Sequence, residues 1–276
     1  MKKIKKKIKE KIWEVFDIER IVEMRLKKLL KNENLTPINS FDKKDIFIAS
    51  YPKSGVTWMQ NLITCMLLNT NSKYITPKLV SEIVPDTHAK RFYKRTFFRM
   101  FFKTHSLPKS EYKKVIHLVR DGRDTLVSFY YYLQLNKDSG PTLSEMVDLE
   151  QDIWPQKWYE HTKAWSENPY SCELLTIRYE DLKEKPLETL RKIADFSDLQ
   201  IEEEKLQEIF DSNKIDKLRA KVVQHGWDYD KNFGNDSKNF FRKGITGEYK
   251  KELNTELLQK FEDYSKEMLI KYNYEV

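Results

Sequence analysis

The stretch from Asp45 to Asn69, DIFIASYPKSGVTWMQNLITCMLLN, constrains the fold more than any other part of the chain. Its pattern predicts a short buried strand, a tight polar turn and an apolar helix that begins near Val56. A turn that runs into a helix N-terminus presents unpaired N–H groups at the positive end of the helix dipole, and these hold anions such as phosphate. Lys53 adds a positive charge, and Gly55 lets a ligand approach the backbone closely. The stretch therefore predicts a phosphate site, although it lacks the Walker A pattern.

The size and composition of the chain exclude several classes of protein. Its 276 residues suit one large α/β domain or two small ones. Charged residues make up 34% and glycine is scarce, so disordered and fibrous classes are excluded. The two cysteines, Cys65 and Cys172, cannot build a disulfide framework, and neither has the spacing of a metal ligand. No apolar run approaches the roughly 20 residues that span a membrane, and we expect a cytoplasmic protein.

The net charge of +7 lies entirely in the first 31 residues, which hold twelve Lys/Arg and five Asp/Glu. The rest of the chain is balanced, so the charge gives no reason to expect a nucleic-acid partner. Apolar residues recur three or four apart from Ile4 to Leu29, as on one face of an amphipathic helix. This helix either binds an anionic membrane surface peripherally or packs on the domain with its lysines in solvent. We expect the helix and its connector over 1–40 and one domain over 41–276.

A histidine follows a predicted strand end in the segment FFKTHSLP. Lys103 and His105 are two residues apart, and residues two apart on a strand share a face. A lone histidine is more often structural than catalytic. A base and a cation that face one reacting centre, however, make a useful catalytic pair.

A second predicted strand, turn and helix carries an arginine and a serine. The strand covers Val115 to Val119, and the turn RDGRD follows it. Arg120 at the strand end and Ser128, one turn into the helix, could bind one phosphate between them. A salt-bridged turn explains RDGRD equally well.

Two later segments suggest ligand contacts. Residues 212–241 are polar, and Gly226, Gly234, Asn235 and Asp236 in them predict a mobile loop that could close over a ligand. Directly after it, Arg242 and Lys243 beside Gly244 present two cations and backbone N–H groups together. A third strand is predicted to end at Tyr179.

The segment HAKRFYKRTFFRM alternates basic and aromatic residues. Such a pattern can grip a single-stranded nucleic acid or an acidic sugar. A surface helix with alternating solvated and packed positions is the more frequent explanation. The basic residues, Arg91 to Arg99, favour an acidic or carbohydrate-bearing ligand.

Five blocks of the sequence, in order, resemble the conserved blocks of the cytosolic-type sulfotransferases. The blocks are YPKSGVTW, KTHSLP, RDGRD with the helix that follows, RYEDLKEKP and RKGITGEYK. This chain has Val56 where the family has threonine, Ser106 inserted before Leu-Pro, and Asp121-Gly122 in place of Asn-Pro. The resemblance implies a P-loop-like single α/β domain, with a central parallel sheet flanked by helices. It also implies the sulfate donor 3′-phosphoadenosine 5′-phosphosulfate (PAPS) and the product adenosine 3′,5′-bisphosphate (PAP).

The resemblance also assigns ligand contacts to this chain. The residues that would cradle the 5′-phosphosulfate are Lys53, Ser54, Gly55, Val56, Thr57 and Trp58. The residues that would bind the 3′-phosphate are Arg120, Ser128, Arg242, Lys243 and Gly244. Tyr179 would contact the adenine, Trp58 would stack on it, and Ile215 falls in an adenine block whose family residues are not preserved here. Only Lys250 of the family dimer segment is preserved, so the oligomeric state stays open.

The chemistry implied is in-line sulfuryl transfer, with charge developing on the bridging oxygen that leaves. His105 would be the base that deprotonates the acceptor, and Lys53 and Lys103 would stabilise the developing negative charge. No metal is required. The acceptor would be a hydroxyl or amine of a small molecule, glycolipid or carbohydrate. Two other hypotheses are a P-loop-type small-molecule kinase and a non-catalytic nucleotide-binding protein at a membrane surface.

Overall fold

The computed structural model describes residues 34–134, 140–148, 156–226 and 244–276. Within them the chain forms an α/β domain with a parallel four-stranded sheet at its centre and a two-stranded antiparallel sheet beside it, which confirms the predicted fold class. The strands are β1 (Leu35–Pro37), β2 (Ile46–Ser50), β3 (Phe92–Lys94), β4 (Phe101–Thr104), β5 (Lys114–Val119) and β6 (Glu173–Arg178).

Helices cover both faces of the central sheet. They are α1 (Val56–Leu67), α2 (Pro77–Ile83), α3 (Gly122–Gln134), α4 (Leu143–Val147), α5 (Trp158–Glu167), α6 (Tyr179–Glu184), α7 (Pro186–Phe196), α8 (Glu203–Ser212), α9 (Ile215–His225), α10 (Tyr249–Glu252) and α11 (Thr255–Lys271). A single 3₁₀ turn, Ser72–Tyr74, precedes α2. Pro186 occupies the first turn of α7, a position that helix N-termini favour.

The order of strands in space differs from their order in the chain. The central strands lie in the order β4-β2-β5-β6, and all neighbours are parallel. From β2 the chain crosses to β4 on one side, and from β4 it passes to β5 on the other side. In open α/β sheets, ligands bind outside the carboxyl ends of the strands at such a switch point. The loops that follow β2 and β5 therefore meet where a ligand site is expected.

Both faces of β2 are buried, and this fixes the position of the loop that follows it. All five residues of the strand are inaccessible to solvent. Ile46 and Ile48 pack in one cluster with Leu62 of α1. Phe47 faces the opposite side, where its ring centroid lies 4.0 Å from that of Tyr112. Each such side chain contributes about 1.5–3 kcal/mol when fully buried, so β2 is a rigid support for its loop.

The prediction of a mobile loop over 212–241 is wrong for its first half. Residues Ile215–His225 form α9. Leu218 and Val222, four residues apart, are buried on one side of this helix, and the other positions are mostly polar. Gly226, with a positive φ of 72°, follows as the cap residue. The polar composition obscured this helix, because only two of its apolar side chains are buried.

The basic and aromatic segment is not a surface helix, because β3 lies inside it and pairs with β1. Two of its arginines are engaged within the fold. Arg95 binds Asp45 through two hydrogen bonds of 2.9 and 2.7 Å. Arg99 lies 2.8 Å from Asp198. Because these two arginines already pair with carboxylates of the chain, they give no support to an acidic or carbohydrate-bearing ligand.

Some predictions fall outside the described residues. The amphipathic helix predicted within residues 1–31 lies outside the described residues, so its membrane and packing interpretations stay predictions, as does the division into 1–40 and 41–276. In the parts of the chain that the structure describes, no helix is long and apolar enough to cross a membrane.

Candidate functional site

The loop between β2 and α1 has the backbone of an anion cradle. Lys53 and Gly55 both have positive φ angles, 68° and 97°, and backbone with such left-handed residues forms anion-binding concavities. Gly55 is the N-cap of α1, and no side chain caps this helix end. The hydroxyl of Ser54 is buried and has no hydrogen-bond partner among the described residues. A buried donor and an uncapped helix N-terminus together favour a bound anion.

Arg120, directly after β5, links three segments at this point. Its Nη1 donates to the carbonyl of Lys53 at 3.3 Å, and its Nη2 donates to the carbonyl of Ile245 at 2.9 Å. Its Nε is buried without a partner in the described residues. Asp124 lies 3.9 Å from Nη2 and accepts the N–H groups of Gly247 and Tyr249. Arg120 therefore joins the loops after β2 and β5 to the segment that begins at Gly244.

Tyr179 lies at the centre of the predicted nucleotide contacts. Its ring is T-shaped to Trp58, with centroids 5.5 Å apart, and the Arg120 guanidinium lies 4.8 Å above it. Its hydroxyl is 3.4 Å from the carbonyl of Gly244. A Cβ on Gly55 would be only 2.6 Å from the ring. The structure thus brings together residues that are as far apart in the chain as Gly55 and Gly244.

Other predicted nucleotide contacts have less definite surroundings. A Cβ on Gly244 would collide with the side chain of Ile215, so these two residues are in contact. Trp58 is buried in the first turn of α1, and its indole N–H has no partner among the described residues. Ser128 is half-buried on α3. Val56 and Thr57 open α1 and are buried; Arg242 and Lys243 lie outside the described residues.

His105 lies directly after β4 and beside the end of β2. Its Nδ1 is 2.7 Å from the carbonyl of Ser50. A carbonyl only accepts, so Nδ1 holds the proton and Nε2 holds the lone pair. Burial, and after it the Lys103 ammonium, lower the pKa of His105 to about 3, and Asp86 only partly offsets them. The imidazole is therefore neutral at physiological pH, as a base must be before it takes a proton.

The two predicted catalytic lysines have different partners. The Lys53 ammonium lies 4.2 Å from the ring centroid of Tyr132 on α3, which is cation–π distance. Lys103 forms an ion pair with Asp86 at 2.8 Å, and both side chains are almost buried. Burial raises the pKa of Asp86, but the attraction and hydrogen bond of Lys103, together with His105 and the N–H of His88, outweigh it, and the pKa is lowered overall.

Sequence reasoning missed Asp86 and His88. The segment that holds them pairs with β4: Lys103 donates its N–H to the carbonyl of Pro85, and Thr87 donates to the carbonyl of Lys103. His88 accepts the main-chain N–H of His105 on Nε2 at 3.1 Å. The short motif Asp-Thr-His after a proline was the only local signal for this site. The pairing itself spans 17 residues and is not visible in a local pattern.

His161 is a further buried histidine near the site that sequence reasoning missed. Its ring centroid lies 5.7 Å from that of Tyr51 and 6.3 Å from that of His117. Burial lowers the pKa of His161 to about 4, an effect that the backbone of His105 and Ser106 partly offsets. His161 therefore packs neutral behind the loop that holds His105.

No group of three or more His, Cys, Asp or Glu side chains that could hold a metal ion occurs in the described residues. The arrangement is a cradle for anions with one neutral imidazole and two ammonium groups around it. Such a set can bind a phosphorylated ligand, accept a proton and stabilise negative charge.

Comparison with known proteins identifies relatives of this chain. The family model described as "Sulfotransferase domain" matches residues 43–273. Mouse sulfotransferase 1B1 is 29% identical over 227 residues, which cover 75% of this chain and 76% of the relative. Mouse sulfotransferase 1 family member D1 is 29% identical over 259 residues, which cover 86% of this chain and 88% of the relative.

Solved structures share the fold. A mouse sulfotransferase complexed with PAP matches with a TM-score of 0.63 and 21% identity, over 83% of this chain and 85% of the other. Retinol dehydratase, in complex with androsterone and the inactive cofactor PAP, matches with a TM-score of 0.62 and 21% identity. That alignment covers 83% of this chain and 82% of the other.

Proposed function

This chain belongs to the sulfotransferase domain family, and from that premise we propose that it transfers a sulfuryl group from PAPS to a hydroxyl or amine of a small organic acceptor. The family model covers residues 43–273, so the family predicted from the sequence blocks is confirmed. The kinase and non-catalytic hypotheses lose their support with it.

The contacts of Arg120 are the observation that most strongly supports PAPS as the donor. Arg120 contacts the carbonyl of Lys53 and that of Ile245, and so places a buried guanidinium beside the anion cradle at the switch point. PAPS has two phosphorylated ends, and an anion cradle next to a buried arginine provides two anion sites. The hydroxyl of Ser54, Nε of Arg120 and the indole N–H of Trp58 are buried without partners in the described residues, so donors are in place for such a ligand. PAP in two proteins of this fold supports the same donor.

The role of each residue follows from charge. The donor supplies the sulfuryl group on its 5′-phosphate, and its 3′-phosphate serves for binding. Lys53 to Trp58 would hold the 5′ end through backbone N–H groups and the helix dipole. Arg120 and Ser128, with Arg242, Lys243 and Gly244, would hold the 3′-phosphate. Tyr179, Trp58 and Ile215 would contact the adenine.

His105 would act as general base. Its Nε2 takes the acceptor proton while the acceptor oxygen bonds to sulfur, and the bond from sulfur to the 5′-phosphate oxygen breaks with its electron pair. The ammonium groups of Lys53 and Lys103 stabilise the negative charge on the transferred group and on the departing phosphate. In this step one proton moves from the acceptor to the imidazole, and one sulfuryl group moves from the donor to the acceptor.

Small hydroxyl-bearing molecules are the favoured acceptors. Androsterone and retinol are named in complexes of proteins with this fold, and each carries a single hydroxyl group. Asp86, His88 and Lys103 are the polar side chains beside His105 in the described residues. We therefore include androsterone, retinol, 2-naphthol and 2-naphthylamine in the first acceptor panel, with a galactolipid to test a carbohydrate acceptor.

The test is transfer of radiolabelled sulfate from PAPS by the purified full chain to each member of this panel. We expect labelled product with at least one small acceptor and none from His105→Ala. The matched control, His225→Ala, replaces an exposed histidine at the end of α9 and should keep full activity. Phosphate transfer from labelled ATP without sulfate transfer from PAPS would overturn the proposal in favour of a kinase. PAP binding without transfer to any acceptor would overturn it in favour of a non-catalytic protein.

A further inference from the structure

A connected chain of contacts runs from Lys103 through Asp86 and His88 to His105. Asp86 Oδ2 is 2.8 Å from the Lys103 ammonium, and Asp86 Oδ1 accepts the N–H of His88 at 2.8 Å. His88 Nε2 then accepts the N–H of His105 at 3.1 Å, and the two imidazole rings are stacked with centroids 6.0 Å apart. Each link of the chain is a short polar contact or a ring contact.

The chain of contacts joins both groups proposed to act on the acceptor. Lys103 and His105 come from the end of β4, whereas Asp86 and His88 come from the segment that pairs along it. Asp86 holds the Lys103 ammonium, and His88 holds the main chain at His105. A shift of the segment would therefore move the base and the cation together.

We propose that Asp86 and His88 are positioning residues for sulfuryl transfer, with Asp86 holding the Lys103 ammonium and His88 holding the main chain at His105. This inference rests on the proposed function, because it takes His105 as the base. The side chains of Asp86 and Lys103 are only 8% and 12% exposed, so neither ion can be solvated independently. A buried pair with one partner removed leaves an uncompensated charge, and Lys103 would then lose its fixed position.

Asp86 has a second effect, on the charge that His105 acquires. The titratable groups that face His105 are Lys103 on β4 and Asp86 and His88 on the paired segment, and His161 packs against the His105 backbone. The Asp86 carboxylate attracts the imidazolium that forms during proton transfer, and it partly offsets the repulsion by Lys103. The pair therefore leaves the site able to accept a proton while it keeps a cation close to the acceptor.

Main-chain contacts fix the tautomers of both His88 and His105. Its Nε2 accepts an N–H, so its proton lies on Nδ1, and Nδ1 of His105 also holds a proton because it faces the Ser50 carbonyl. Both neutral rings are thus held in the Nδ1–H form. The tautomers can be read by ¹⁵N NMR of histidine-labelled protein, which does not require turnover.

The first experiment is a double-mutant cycle of Asp86→Asn and Lys103→Met, measured as kcat with saturating PAPS and 2-naphthol, or androsterone if that is transferred faster. Asp86→Asn keeps the shape of the side chain and removes its charge. We expect a loss of about 30-fold alone and no added loss in the Lys103→Met background, since misplacement by about 1 Å can cost about 100-fold. The Kd of PAP should change much less than kcat. Equal losses in both backgrounds would overturn the proposed action through Lys103.

The second experiment separates acceptor and non-acceptor side chains at position 88. His88→Gln keeps an oxygen that can accept the His105 N–H and should stay within about 3-fold of the wild type, whereas His88→Leu should lose about 10-fold or more in kcat with an unchanged Kd for PAP. Equal activity of the two variants would overturn the role of His88.

The NMR measurement decides the case if the wild type transfers no sulfate. Nδ1–H forms of His88 and His105, with His88→Leu changing the His105 signals, would support the positioning network although the proposed function had failed. A protonated Nε2 on His88 would overturn the network whether or not transfer occurs.

Discussion

The guanidinium of Arg120 donates to the main-chain carbonyl of Lys53 at 3.3 Å, and this contact joins the loops that follow β2 and β5. The two strands are neighbours in the sheet, so their loops leave it side by side. The same guanidinium also binds the carbonyl of Ile245. Arg120 therefore builds the site as well as giving it charge, and its removal should affect both.

Arg120→Ala should weaken PAP binding much more than binding of adenosine 5′-phosphate. Charge-assisted hydrogen bonds to a phosphate contribute about 1.5–3 kcal/mol, or about 10- to 100-fold in Kd. Adenosine 5′-phosphate should lose less, because only the indirect support of the Lys53 loop is removed. Calorimetric titration of both nucleotides measures the difference. Equal losses would contradict a 3′-phosphate role, and Lys192→Ala, which removes an exposed cation on α7, serves as the control.

His105→Ala should reduce kcat by about 100-fold or more, the contribution expected of a general base. The Kd of PAP should stay within about 3-fold, because the imidazole is held by the Ser50 carbonyl and is proposed to act on the acceptor. The comparison variant is His225→Ala, and circular dichroism of all three proteins verifies folding. Wild-type turnover in His105→Ala would remove His105 as the base.

Gly55→Ala should abolish nucleotide binding. The new Cβ would lie 2.6 Å from the Tyr179 ring, and the positive φ of 97° would add a cost of about 1–2 kcal/mol. Gly247→Ala separates these effects, because Gly247 also has a positive φ, 77°, but a Cβ there meets nothing within 4 Å. Both variants should lower the melting temperature, and only Gly55→Ala should lose PAP. Loss of PAP from both to the same extent would contradict the role of the Tyr179 contact.

Local patterns were sufficient to predict the elements that support the site. The buried run Ile46–Ser50 is followed by Pro52, and the helix begins at Val56 as predicted. The loop after β5 was predicted for the same reason, because an apolar run ends at Arg120. Each of these elements can be recognised from a sequence pattern of about ten residues.

Features that depend on tertiary packing were not predictable from the sequence. The helix α9 has only Leu218 and Val222 fully buried, so its period was obscured by polar neighbours. Asp86 and His88 reach the base only because their segment pairs with β4 across 17 residues. Lys221, whose pKa is lowered by burial, lies in α9, where a polar loop was expected.

Burial lowers the pKa of Lys221 to about 8. The unfolded chain keeps the ordinary value of about 10.4, so between these two values the unfolded state binds more protons than the folded state. The free energy of unfolding should therefore rise with pH from about 8 to about 10.4, and this group adds no slope below or above that window.

Lys221→Met should lose this rise. Between pH 7.5 and pH 10 the free energy of unfolding of the wild type should rise by about 2 kcal/mol relative to that of the variant. This value is lower than the full effect of about 1.36 kcal/mol per pH unit, because the side chain is partly exposed. Denaturant unfolding at several pH values measures the difference, which cancels tyrosines and other lysines that titrate in both proteins. Lys217→Met, an exposed position on the same helix, should keep the wild-type slope. Parallel curves for the wild type and Lys221→Met would mean that the Lys221 ammonium, which donates to Asn61 Oδ1 at 3.1 Å, is as well solvated in the folded chain as in the unfolded one.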